Sequence, residues 1–158
     1  MPFAAWSTVS VAVLLVSISV ALSPVLAGPI HDAAKAGDAA LLDRLIATGA
    51  DADENDVARN TAPHLAADAG HIDVVGVLVA NGADLIAKDI SDLTPLQLAI
   101  LGDHEAVANL LIAKGVDVNA MDNLSITVLD EATRKGNAGV IETLKQAGAK
   151  CGTSNYAC

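Results

Sequence analysis

Three groups of side chains in this 158-residue chain have the types and spacing to do chemistry. Asp51-x-Asp53-x-Asn55 imitates the opening of a calcium loop, where alternating oxygens wrap one ion. The glycine required next is Asp56 and the closing glutamate position is Ala62, so the loop is not completed. Four histidines (His31, His64, His71 and His104) raise the question of a metal or a general base. The third group is Cys151 and Cys158, the only two cysteines. Their spacing is not Cys-x-x-Cys, and in an exported chain the pair reads as one disulfide. On the loop-entropy model that bond is worth about 2–3 kcal/mol, mainly to the tail. Free or intermolecular thiols and thiol redox chemistry are the alternatives. No nucleophile elbow, phosphate-binding glycine loop or paired Cys/His zinc pattern occurs, so no enzyme activity, catalytic residue, metal or cofactor is expected.

The elements that must position these groups are clearest at residues 61–84. Thr61 is an N-cap candidate, and Pro63 sits in the first turn, where a missing N–H costs little. Leu65, Ala66 and Ala67 form a narrow apolar face, and Gly70-His71 ends this first helix. Val74, Val75 and Leu78 give a second helix its spacing, and Gly82 stops it. The pattern recurs: Gly49, Gly82, Gly115 and Gly148 stand 33 residues apart, as do Leu45, Leu78, Leu111 and Leu144, and Thr61, Thr94 and Thr127. A fixed step of this length signals a solenoid. It also places His31 and His64 one unit apart, and stacked helices about 8–10 Å from axis to axis do not readily share an ion.

The chain resembles ankyrin-repeat proteins, whose unit runs roughly Thr-Pro-Leu-His-x-Ala-Ala, Gly-His, a Val-Val/Leu-Leu helix and Gly-Ala-Asp. Matching segments are Thr61–Asp84, Thr94-Pro95-Leu96-Gln97-Leu98-Ala99 through Asp117, a weaker Thr127–Ala149, and a degenerate first unit from Ile30 to Asp51. The resemblance implies an all-α solenoid of four helix-turn-helix units over about residues 28–150, with β-hairpin-like fingers projecting sideways. It implies histidines that bond backbone in the neighbouring turn, with His71 and His104 in the corner between helices. The family has a glycine near each finger tip, where Arg59, Asp92 and Ser125 stand here. Asp tolerates a left-handed conformation better than Arg or Ser, so the first and third fingers are expected to be irregular. In the third unit Gly102 falls one place early, with Asp103 in the slot aligned to Gly70.

Composition agrees with closely stacked helices: 53% of residues are hydrophobic and only 2% aromatic. The net charge of −10 argues against nucleic-acid binding, which needs clustered cations. Residues 28–92 carry 12 acids and 4 bases against 7 and 5 in 93–158, so a basic partner would be steered to the first half. Residues 1–31 hold no charged side chain, and Val9 to Leu22 is an apolar run broken only by serines. Val25 and Ala27 occupy the −3 and −1 places of a signal-peptidase cut after Ala27, which predicts a leader over 1–27 and a periplasmic or secreted protein. The competing reading is an uncleaved anchor holding a membrane scaffold, although the run is shorter than the ~20 residues a span prefers. Residues 151–158 form a separate Cys-bearing tail.

Family recognition usually uses finger tips and exposed places of each first helix. By the repeat register these are Val57, Ala58, Asn60 and Asp68; Ile90, Ser91, Leu93 and Leu101; and Asn123, Leu124, Ile126 and Arg134. Ile90, Leu93, Leu101, Leu124 and Ile126 are large and apolar where polar residues would suit solvent. The expectation is a protein partner docked on the concave side, centred on Leu93, Leu101 and Ile126, with no small-molecule substrate. Modulation or protection of an exported enzyme is the finer reading.

Overall fold

The computed structural model describes residues 28–152; the expected leader and Cys158 lie outside them. The order is α1 (Pro29–Ala36), α2 (Ala39–Ala47), α3 (Ala62–Ala69), α4 (Ile72–Ala80), α5 (Pro95–Leu101), α6 (Glu105–Ala113), α7 (Val128–Lys135) and α8 (Ala138–Gln146). Each consecutive pair packs as one unit. The first helices α1, α3, α5 and α7 stack in one layer, and the second helices α2, α4, α6 and α8 in the other.

These helices are too short to persist alone, so caps and packing decide them. Thr61, Thr94 and Thr127 start three of the first helices, with the side chain of the third helical residue returning to the N-cap N–H. Asp38 caps α2 by accepting from Leu41 N–H at 2.9 Å. The core repeats with the sequence: Leu42, Val75 and Ala108 are buried at one register position, and Leu78, Leu111 and Leu144 at another. Small side chains let the layers approach, with Ala33, Ala66, Ala99 and Ala132 forming a buried column through the first-helix layer.

Three fingers, residues 51–60, 84–93 and 117–126, join the four units. The expected irregularity of the first and third is not what forms. Arg59, Asp92 and Ser125 all take φ 61°, and Asp56, Asp89 and Asp122 N–H donate to Asn60, Leu93 and Ile126 O at 2.9, 3.0 and 3.2 Å. The reason is a carboxylate at the start of each tip. Asp56 Oδ1 accepts from Ala58 and Asn60 N–H, Asp89 Oδ1 from Ser91 and Leu93 N–H, and Asp122 Oδ1 from Leu124 and Ile126 N–H. Two buttressed amides per tip outweigh the left-handed cost at one residue. At the third unit's corner Asp103, not Gly102, adopts the positive φ of 59°.

Candidate protein-interaction surface

Each finger is tied to its neighbour and to the helix floor. Ile90 N–H donates to Ala58 O at 3.0 Å and Asn123 N–H to Ser91 O at 3.3 Å, so the tips form a continuous row. From the floor, His64 Nε2–H donates to Leu93 O at 3.1 Å, and Gln97 Nε2 to Ile126 O at 3.5 Å. The same register position holds His31, which bonds Glu54 O instead, and Asp130, which accepts from Gly152 N–H. Polarity therefore reverses at the last unit: a donor that reached the next finger becomes an acceptor for the start of the tail.

The histidines are structural in geometry. His64 Nδ1 accepts from Thr61 N–H at 3.2 Å, which fixes the Nε2–H tautomer that binds Leu93. Burial pushes the His64 pKa below its ordinary value, against the pull of the Leu93 carbonyl and of Asp89. His71 and His104 span the corners as straps, donating to Lys35 O at 3.1 Å and Asp68 O at 2.8 Å. Among the described residues no group of three or more His, Cys, Asp or Glu is placed to hold a metal ion.

The expected binding residues divide into three sets. Val57, Ile90 and Leu124 stand out at the tips, 73%, 68% and 71% exposed. Leu93 and Ile126 are half-buried at the finger bases and meet Leu101 in one shallow depression, which Gln97, Asp122 and Glu131 also line. Its volume of about 20 Å³ admits no cofactor. Asn60 does not present its amide freely, because its Nδ2 donates to Asp56 Oδ2 at 3.1 Å. Asp68 is exposed, and its carbonyl is held by His104. Arg134 is ion-paired with Glu131, whose carboxylate is mostly buried beside the depression. Ala58 and Ser91 are half-buried and Asn123 is exposed.

Sequence reasoning missed Leu98 and Glu131. They share one register position on the first-helix layer with Leu65, and the step of 33 already aligned all three. Leu98 is half-buried and stands outside the core cluster, three residues before Leu101 on α5. Cys151 is exposed at the end of the described chain. Among the described residues no helix is long and apolar enough to cross a membrane.

A search of curated proteins found no match. The family description "Ankyrin repeats (3 copies)" matches residues 30–122, more than half of the chain, and covers the first three units and most of the third finger. With the paired helices, the 33-residue register and the projecting fingers, the chain belongs to the ankyrin-repeat family.

Proposed function

We propose that the chain is an exported protein–protein interaction module that docks its partner across the first-helix layer and fingers of units two to four. Ankyrin arrays serve as interaction modules, which supports a protein partner. The observation that carries the choice of surface is the run of aliphatic side chains outside the core, from Ile90 and Leu124 at the tips to Leu93, Leu101 and Ile126 at the floor. Apolar area of this kind beside polar, ion-paired neighbours is typical of the centre and rim of an interface. The depression is too shallow for a metabolite and suits a side chain laid on it from a protein surface.

Export rests on the leader-like pattern of residues 1–27, and a Cys151–Cys158 bond belongs to the same reading. The finer role, modulating or protecting an exported enzyme, rests on the small size of the chain and its lack of catalytic motifs. The test is affinity capture from the native envelope fraction with the mature chain and with Leu93→Asp/Ile126→Asp, each shown to be folded by circular dichroism. A partner recovered by the first and lost with the second supports the surface; equal recovery overturns it.

A further inference from the structure

A second ladder runs along the finger bases, and it has one rung missing. Asp84 N–H donates to Asp53 Oδ1 at 2.8 Å, tying finger two to finger one. Two register steps later, Lys150 N–H donates to Asn119 Oδ1, also at 2.8 Å. The intermediate rung would run from Asp117 N–H to the side chain of residue 86, but that residue is Ile86, which has no acceptor. Asp117 N–H has no protein partner among the described residues. Where the rung should be, a mainly apolar crease of about 120 Å³ opens, with Leu85, Thr94, Val116 and Ala120 in its walls and Ile86, 59% exposed, at its rim.

We propose that this crease between units two and three binds an extended segment of a partner protein that carries an aliphatic residue flanked by lysine or arginine. The backbone carbonyl of that segment replaces the missing rung on Asp117 N–H, as main-chain bonds do in strand addition. Its aliphatic side chain fills the crease, whose volume suits one such group and is far below that of a cofactor site. Charge selects the flanking residues. Asp51, Asp84 and Asp117 line the finger bases at successive register positions, all exposed. Each commits Oδ1 to the N–H two residues on, of Asp53, Ile86 and Asn119. Lys88, the cation at the rim, is engaged with Met121 O at 2.9 Å. The same carboxylates oppose a second copy of this acidic chain. The crease is separate from the depression at Leu93 and Ile126, so this site stands whether or not that surface binds.

The test is an amide-resolved NMR titration of the mature chain with two capped tripeptides, acetyl-Lys-Ile-Lys-amide and acetyl-Glu-Ile-Glu-amide. The basic peptide is expected to shift the amides of Ile86, Val116 and Asp117 saturably, with Kd on the order of 1 mM, and the acidic one at least tenfold more weakly. Ile86→Asn supplies the absent acceptor, so it is expected to raise Tm while weakening the peptide tenfold or more. That pairing separates closure of the site from loss of folding. Leu93→Asp/Ile126→Asp is expected to leave the titration unchanged. Equal binding of both peptides, no shift at Asp117, or undiminished binding by Ile86→Asn overturns the proposal. Concentration-dependent shifts at Asp117 without peptide overturn it in favour of self-association.

Discussion

The imidazole of His64 and the carbonyl of Leu93 are 3.1 Å apart, so a fully buried side chain in the floor of unit two sets the position of a residue on the candidate binding surface. The contact is repeated by Gln97 and Ile126 one unit on, with an amide in place of the imidazole. Units two and three thus solve one problem with side chains of different acidity.

That difference predicts a pH dependence. Burial depresses the folded-state pKa of His64 because the imidazolium would lose its hydration there, and protonation of Nδ1 also removes the acceptor for Thr61 N–H. The unfolded chain takes up the proton first as pH falls below about 6.5, so the stabilisation is complete above that pH and is lost on acidification toward the lower folded value. Urea denaturation at pH 7.5 and 5.0 should show a smaller unfolding free energy at the lower pH. His64→Gln, the side chain used by unit three, should reduce that difference. An unchanged pH dependence in the variant rules out His64 as its source.

The tips give a second prediction. Arg59 and Ser125 hold φ 61°, a conformation costing a non-glycine residue about 1–2 kcal/mol. Glycine there removes that strain but adds about 0.5–1 kcal/mol of unfolded-state entropy. Arg59→Gly and Ser125→Gly should each stabilise by about 0.5–1 kcal/mol, and additively, since two units separate them. Thermal and urea unfolding of the single and double variants check this.

Asp89 should show the opposite sign. It is 7% exposed and holds Ser91 and Leu93 N–H at 2.7 and 2.9 Å. Asp89→Ala leaves two amides without their acceptor and should cost about 1–3 kcal/mol by urea denaturation. Asp92→Asn removes an exposed carboxylate from the same tip while keeping a residue type that tolerates φ 61°, and should cost clearly less. Equal losses would show that the buttress is not what shapes the finger.

These aspartates mark the limit of what the sequence discloses. The 33-residue step, the capping threonines and the glycine stops place the eight helices of the described residues, because each feature is local and repeats. Asp56, Asp89 and Asp122 repeat just as faithfully, yet a carboxylate in a loop reads equally well as solvated charge. Only the turn of the chain shows that Oδ1 faces inward onto two amides. Leu93 and Ile126 are apolar on the page, but their half-burial around a shared depression depends on the straps from His64 and Gln97, which span 29 residues. Ile86 carries no signal of its own in the sequence, because it matters through a bond it fails to make.

Gly102 shows how a misplaced glycine can still be required. Its φ of −81° is open to any residue, so conformational freedom is not its role. A Cβ there would lie 2.5 Å from His104 Cδ2 and 2.6 Å from Nε2, the atom that straps unit three to Asp68 O of unit two. Gly102→Ala must therefore displace the ring, and it should cost about 1–3 kcal/mol through the lost hydrogen bond. In a His104→Ala background the same substitution meets no ring, only the Asp68 carbonyl at 3.3 Å, and should cost clearly less, a coupling of at least about 1 kcal/mol in a double-mutant cycle. If the cost persists without the imidazole, the glycine serves the backbone at the end of α5, and the strap is not what demands it.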